Sequence, residues 1–429
     1  MDRARGTPRP GAIAAVRRRT TLFWAVAAMA VIAASCPGNV AAADFRIQPS
    51  LTVNEEFDDN ILLTPNDKKD DYITRVIPAF VLAYKTGFWT WDLDYAYDYR
   101  YYRKGTRTDD STHRANLKNR TELIDNVFFL EVLDQYQRVS LDIVRNYTQE
   151  SLFLKQSDQN IFTLNPYVVM GLQDNHKLTI GYKYVNSWYK DPAAISTIDH
   201  IGYLETGSVL SSNLTFSTGI RYTQDVNKID EYNKADLYAG PRYAYGLGSY
   251  VYCLLGASWS DFAESEAVTH LIWDVGFNHR YSTMTLAVET KTDSVPDPNY
   301  IVRRVDQLVA TLTKEQTTRS AISVSVGWYE YRSEATNHLE GKSYRLSGSL
   351  RHALSPTTIL TGELNSSWLY DYTLSEKTYI YQGGVRYEHR ILENLTFTLG
   401  YWYTNSYSPD TYLQNYINNK IAVDLSYRF

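Results

Sequence analysis

The chain has 429 residues and a formal net charge of −5, from 43 Lys and Arg against 48 Asp and Glu. That balance excludes the basic stripe on which nucleic-acid binding depends, and two Cys are too few for a disulfide framework or a cysteine metal cluster. Outside the N-terminus no run of 18 apolar residues occurs, which excludes a helical membrane protein, while 37 Tyr and 9 Trp point to another way of meeting lipid.

Residues 1–43 read as a secretory signal. Arg3, Arg5, Arg9 and Arg17-Arg18-Arg19 make a basic start, an apolar core runs from Leu22 to Ala34, and Ala41-Ala42-Ala43 offers a small-residue cleavage site before Asp44. A rival cut before Cys36 would make a lipoprotein, although Ala33 stands where a larger aliphatic residue is usual. Without residues 1–43 the only cysteine is Cys253 and the formal charge is about −10.

Residues 44–429 show no break in composition and no Pro/Gly/Ser linker, so they read as one domain. The segment Trp89–Tyr101 sets the pattern for it. Trp89, Trp91, Leu93, Tyr95, Tyr97, Tyr99 and Tyr101 alternate with Thr90, Asp92, Asp94, Ala96, Asp98 and Arg100. A strand puts successive side chains on opposite faces, which leaves one face greasy and the other wet. The same period is clear near residues 178–188, 214–222, 322–332, 344–351 and 395–403, and weak near 127–142 and 300–315.

Tight turns are expected at Lys85-Thr86-Gly87, Asp125-Asn126, Asp174-Asn175, Ser212-Asn213, Gly246-Leu247-Gly248, Gln316-Thr317, Ser355-Pro356 and Glu393-Asn394. Longer links are expected at Thr64–Asp71, Gly105–Thr112, Thr148–Gln159, Lys190–Thr197, Asn227–Lys234, Ser294–Asn299 and Ser406–Thr411. Long alternating strands, aromatic excess and alternating short and long links predict an all-β protein. The expected fold is a transmembrane antiparallel up-and-down barrel of about 20 strands (16–20), with short periplasmic turns and longer extracellular loops. The last strand alternates Ile421, Val423, Leu425, Tyr427 and Phe429. Such an aromatic end is similar to the signal that the barrel-assembly machinery of Gram-negative bacteria recognises, although Asp424 stands where Gly is frequent.

Near the start of this domain stand Glu55-Glu56-Phe57-Asp58-Asp59-Asn60-Ile61, Thr64-Pro65, Asp70-Asp71-Tyr72-Ile73 and Pro78. This arrangement resembles the opening of the β-barrel porin-2 family of Gram-negative bacteria, whose members often accompany exopolysaccharide or exosortase (PEP-CTERM-type) surface systems. The resemblance implies an outer-membrane barrel and no defined cargo.

If the wet face of each strand is the lumen, Asp92, Asp94, Asp98 and Arg100 line it, and Lys183, Arg345, Arg351 and Arg386 point the same way from other strands. Opposed acidic and basic walls would select solutes by charge and dipole, and the net acid excess leans toward cations. The first loop gathers Asp58, Asp59, Asp67, Asp70 and Asp71, read as a solvated acidic rim because their spacing matches no Ca²⁺ template. The eight histidines stand in no metal-binding or catalytic spacing, so neither metal, cofactor nor enzyme activity is expected.

The expected function is a porin-like channel for hydrophilic solutes. A component of exopolysaccharide or surface-protein export is the alternative implied by the resemblance, and an adhesive surface barrel is a third. The expected partners are outer-membrane lipid and lipopolysaccharide, the assembly machinery through Phe429, and hydrophilic solutes or polysaccharide.

Overall fold

The computed structural model describes residues 43–141, 156–173, 175–227, 231–263, 265–298, 300–317, 319–411 and 415–429. The segment read as an export signal, apart from Ala43, and residues 142–155 lie outside the described residues. Twenty strands follow one another: β1 (Asp44–Asp58), β2 (Asp71–Lys85), β3 (Trp89–Tyr102), β4 (Asp110–Ile124), β5 (Phe128–Ser140), β6 (Gln156–Gln173), β7 (His176–Tyr189), β8 (Thr197–Ser211), β9 (Leu214–Asn227) and β10 (Glu231–Gly246). The second half comprises β11 (Ser249–Phe262), β12 (Ser265–Tyr281), β13 (Met284–Asp297), β14 (Tyr300–Thr317), β15 (Ser320–Ser333), β16 (Leu339–Ser355), β17 (Thr358–Asp371), β18 (Glu376–Leu392), β19 (Leu395–Tyr407) and β20 (Tyr416–Arg428). Each strand pairs antiparallel with its sequence neighbours, and β1 pairs with β20, so the sheet is a closed barrel.

Residues opposite each other across a ladder share a face. Followed strand by strand from β1 to β20 and back, the register assigns every strand one apolar and one polar face without contradiction. Phe45, Val53, Leu204, Leu237, Leu271, Leu364 and Val423 stand exposed on the apolar face. The polar face is the inner one, because on β10 and β11 it meets residues from beyond the neighbouring strands. Lys234 of β10 donates to Ser294 of β13 at 2.5 Å, and Ser260 of β11 donates to Glu334, beyond β15, at 2.9 Å.

The outer face records where lipid begins and ends. Leu308, Trp328, Tyr344 and Trp368 form one register row across β14–β17, and the next row toward the loop end is Asp306, Glu330 and Lys342. Lys342 pairs with Glu330 at 2.8 Å, and Arg332 reaches both Glu330 (2.8 Å) and Asp306 (3.7 Å). Toward the turn end, Ser320–His352 and Thr358–His389 close the apolar band with hydrogen bonds of 2.7 and 2.9 Å. From Trp328 to Ser320, a rise of ~3.3 Å per residue at a tilt of ~40° gives about 20 Å, near the ~25 Å apolar belt of outer-membrane barrels.

The links depart from expectation at several places. Asn227–Lys234 and Ser294–Asn299 were expected as long loops, but β9 continues to Asn227, β10 resumes at Glu231, and β13 runs to Asp297 before β14 opens at Tyr300. Their polar residues are ladder residues of strands that outreach the membrane: Asp293, Ser294 and Val295 pair with Val305, Arg304 and Arg303. The turn expected at Gln316-Thr317 falls two residues later, and the turn at Ser282-Thr283 carries no Gly, Pro or Asn to announce it. Ser282 supplies the left-handed conformation there, at φ 50°.

The seam between β1 and β20 is held by more than backbone. On its inner face Thr52 bonds Ser426 (2.9 Å), Asn54 bonds Asp424 (2.5 Å), Asp58 accepts from Asn418 (2.5 Å), and Lys420 stands 3.4 Å from Glu56. Asp58 is 1% exposed and also accepts the Asn60 amide at 2.9 Å. Replacing it with Ala leaves the buried Asn60 amide unpaired and Asn418 Nδ2 with only Asn60 O, 3.4 Å away, and we expect Asp58→Ala to cost about 2–3 kcal/mol. The urea midpoint of the folded barrel in detergent reads this loss; an unchanged midpoint would show that the seam does not depend on Asp58.

Candidate functional site

All eight residues expected to line the lumen lie on the inner face, but their surroundings differ. Asp92 and Asp94 are exposed although β3 is paired on both sides, so the space they meet is the lumen. Asp98 and Arg100 are buried. Asp98 accepts from Arg75 Nη2 (2.5 Å) and Nε (3.0 Å) and from Arg100 Nη2 (2.8 Å) and Nε (3.0 Å). The stripe therefore divides into an open carboxylate pair and a closed Arg–Asp–Arg cluster.

The expected opposition of acidic and basic walls is not what the strand order produces. Half-way round the ring from β3 stands β13, whereas Arg345, Arg351 and Arg386 sit on β16 and β18 and Lys183 on β7. The cations nearest in register to the acidic pair are on the adjacent strand: Lys118 opposite Asp92, with Arg114 and Arg120 on either side of it along β4. Face can be read from a period of two; angular position requires the pairing.

A repeated arrangement on the inner wall went unread in the sequence. Gly181, Gly219 and Gly276 each lie under a tyrosine ring of the neighbouring strand, Tyr203, Tyr238 and Tyr252, and a Cβ at any of the three would fall 2.2–2.3 Å from that ring. At two of these places a cation follows two residues after the glycine and rests on the same ring: Lys183 is 5.2 Å from the centre of Tyr203, and Arg221 5.9 Å from that of Tyr238. Arg345 lies 4.3 Å over Tyr329, itself against Gly327, and donates to Tyr331 Oη at 2.7 Å. The pattern Gly-x-Lys/Arg opposite a Tyr is the signal that would have found Lys183 and Arg221. The hydroxyls continue the network: Tyr203 bonds Asn165 (2.9 Å), Tyr238 bonds Glu205 (2.6 Å) and Tyr252 bonds Asp274 (2.9 Å). Arg386 stands 3.6 Å from Glu363, both well exposed, and Arg351 is exposed on the inner face.

Loop segments narrow the loop-end mouth. After β1 the chain turns inward: Asn60 is wholly buried, its side chain bonded to Thr64 and to Ile417 O (3.1 Å), and Ile61 packs on Ile73 and Tyr102. The Ile195 amide, between β7 and β8, donates to Pro298 O, between β13 and β14, at 2.8 Å. Of the long link expected at Thr148–Gln159, residues as far as 155 lie outside the described residues, and 156–159 belong to β6. The carboxylates of the first loop serve the chain itself. Asp59 accepts from Asn419 N and Nδ2 (both 2.6 Å), Asp71 accepts the amides of Tyr72 and Lys104 (both 2.8 Å), and Asp70 is paired with Lys104. That pairing holds the Asp70 carboxyl below its usual range. Among the described residues no group of His, Cys, Asp and Glu is arranged to hold a metal ion.

Six of the eight histidines fall on the outer face and mark its edges. Toward the loop end His113 bonds Tyr95 (2.7 Å) and His200 bonds Tyr182 (2.6 Å). Toward the turn end His176 bonds Ser208 (2.8 Å), His279 bonds Tyr245 (3.1 Å), and His352 and His389 bond the hydroxyls of Ser320 and Thr358. Three such imidazole–Ser/Thr pairs at one height form an interface belt of amphipathic side chains rather than a single catalytic dyad.

No known protein family model and no curated protein matches the sequence. In fold the chain is similar to the FrpB iron transporter from Neisseria meningitidis (F5-1 variant), with a TM-score of 0.51 at 8% identity over 89% of this chain and 82% of that one. It is also similar to a mutant of the ferric enterobactin receptor PfeA from Pseudomonas aeruginosa, with a TM-score of 0.50 at 9% identity over 90% of this chain and 80% of that one. A loop-deletion form of OmpT, an outer membrane protein of Vibrio cholerae, aligns over 90% of this chain and all of its own (100%) at 11% identity, but with a TM-score of 0.39, too low to add to the argument. At these identities the likeness is one of fold: a closed β-barrel of the outer-membrane type.

The divided stripe makes a prediction. Asp98→Asn removes the shared partner of two arginines, one of them buried, and should lower stability by about 3 kcal/mol. Asp94→Asn, open to the lumen, should change it by less than about 0.5 kcal/mol. Equal urea midpoints for the two variants would contradict the division.

Proposed function

We propose that this barrel is an outer-membrane channel through which small hydrophilic solutes diffuse. One observation carries the reading: mid-strand residues of the inner face, among them Asp92, Asp94, Asn116, Lys118 and Gln135, are open to solvent although their strands are paired on both sides. Eight strands leave room only for side chains, and 16 to 18 leave an aqueous passage; a ring of 20 has room for water along its axis. The inward turn after β1 and the bridge from Ile195 to Pro298 restrict the mouth, so the solutes are small rather than polymeric.

Charge selectivity should be weak. The net acidity of the chain favoured cations, but carboxylates and cations alternate in register on the inner face: Asp92 with Lys118, Asp236 with Arg221, and Asp274 with Lys291. Potentials of opposite sign this close largely cancel beyond a Debye length of ~8 Å.

Liposomes containing the protein should swell in isosmotic monosaccharide and not in dextran, and the reversal potential across a tenfold KCl gradient should stay within ~20 mV of zero, against the ~59 mV of perfect selectivity for one ion. A folded barrel that passes no sugar would sink the proposal. A reversal potential near the limit would refute the weak selectivity.

A further inference from the structure

The β12–β13 ladder stops short. Pairing starts at Tyr281 opposite Met284 and ends at Asp274 opposite Lys291, although β12 begins at Ser265 and β13 continues to Asp297. Beyond that point β13 pairs only with β14, as far as Asp297 opposite Tyr300. The loop-end part of the β13–β14 hairpin is therefore attached to the wall along one side.

That part of the hairpin bends inward. Thr292 lies opposite Asp306 of the outer row, so Ser294 and its partner Arg304, each two residues nearer the loop end, belong to the outer face, as does Val302. Ser294 nevertheless accepts a hydrogen bond from Lys234 on the inner face of β10. Val302 packs on Tyr232 and Phe262, which are paired in register on that same inner face. The outer side of one stretch of sheet here lies on the inner side of another. At the tip of the hairpin Pro298 O accepts the amide of Ile195, from the link between β7 and β8.

The link between β15 and β16 lies over the same place. Glu334, whose side chain is fully buried, accepts from Ser260 at 2.9 Å and from Ser294 at 3.4 Å, and stands 3.6 Å from both Lys234 and His270. Ala335 packs against Tyr232, Phe262 and Val302, and the Glu334 amide donates to Val302 O at 3.4 Å. One carboxylate thus joins the link and the hairpin to β10, β11 and β12.

This contact leaves polar groups without partners. Ser258 and His270 lie opposite each other on the inner face, 0% and 9% exposed. The Ser258 hydroxyl and both ring nitrogens of His270 make no hydrogen bond. A polar group buried in this way forgoes the bonds it would make to water. Opening restores them, which offsets part of the loss of the Glu334 contacts and brings shut and open arrangements closer in free energy.

We propose that the loop-end part of the β13–β14 hairpin, with the β15–β16 link, is a hinged flap over the mouth, latched by Glu334. Its hinge is the end of the β12–β13 ladder at Lys291. Shut, it seals the inner face of β10–β12; open, it widens the mouth for larger hydrophilic solutes. The flap deepens the channel reading and rests on it for the flux.

Thiol labelling tests the flap without depending on flux. In the full chain with Cys36→Ser and Cys253→Ser, Ser258→Cys reports on the surface beneath the flap. Thr404→Cys, at a position 1% exposed on β19, reports on general loosening. Glu334→Ala should raise the rate at which a charged thiol reagent labels Ser258→Cys at least tenfold, and that of Thr404→Cys less than twofold. Liposomes containing Glu334→Ala should also swell at least threefold faster than wild type in isosmotic raffinose. Heat-dependent gel migration shows whether the variant is folded; if it is not, Ser260→Ala decides, with at least threefold faster labelling of Ser258→Cys expected. Unchanged labelling of Ser258→Cys in the deciding variant, equal acceleration at both reporters, or unchanged raffinose swelling by a barrel that passes glucose overturns the proposal. Faster labelling of Ser258→Cys in a barrel that passes no sugar would keep the flap and remove the channel. Sugar flux with unchanged labelling would do the reverse.

Discussion

Closure of β1 onto β20 is the constraint from which the other features follow. In hydrocarbon an unpaired amide or carbonyl costs several kcal/mol, so a sheet can cross a membrane only if it has no edge. The register from Ser50 opposite Arg428 to Asp58 opposite Lys420 removes that edge, and the Phe429 amide completes it by donating to Pro49 O at 3.0 Å. Once the ring is closed, each strand must divide its side chains between lipid and interior. The apolar rows of β14–β17, the imidazole belts at either edge and the polar wall are consequences of that division.

The interior is arranged so that long cations do not fill it. A lysine or arginine on an inward strand would sweep much of the cross-section if left free. Here Lys183, Arg221 and Arg345 lie along tyrosine faces, and those tyrosines lie against strands thinned by Gly181, Gly219 and Gly327. Each contact contributes about 0.5–1 kcal/mol where solvent reaches it. That is enough to bias a rotamer and to keep charge on the wall. The closed Arg75–Asp98–Arg100 cluster does the same near the mouth by pairing.

Two-residue alternation is a local property, and whatever depends on it was legible in the sequence. The strands through Trp89–Tyr101 and Ile421–Phe429, the strand number, and the inward direction of Asp92, Lys183, Arg345 and Arg386 all belong here. Properties set by the ring were not legible. The position of β16 and β18 relative to β3 depends on strand pairing, so opposed walls could not be distinguished from adjacent ones. Asp293 and Ser294 resembled loop residues because polarity marks both loops and strands that project beyond lipid. The histidines looked scattered because a belt around a barrel samples the sequence once per hairpin. Asn60 and Ile61 turn inward for the sake of partners at Ile417 and Tyr102, far away in sequence or across a loop.

The central claim is that adjacent residues of one strand face water and lipid by turns, with the water inside. Cysteine accessibility measures it directly. In a chain with Cys36 and Cys253 replaced by Ser, Asp94→Cys and Leu93→Cys are compared for reaction with a charged, membrane-impermeant thiol reagent after reconstitution in lipid. A water-filled lumen requires Asp94→Cys to react at least tenfold faster than Leu93→Cys. Equal rates, or the reverse order, would contradict it.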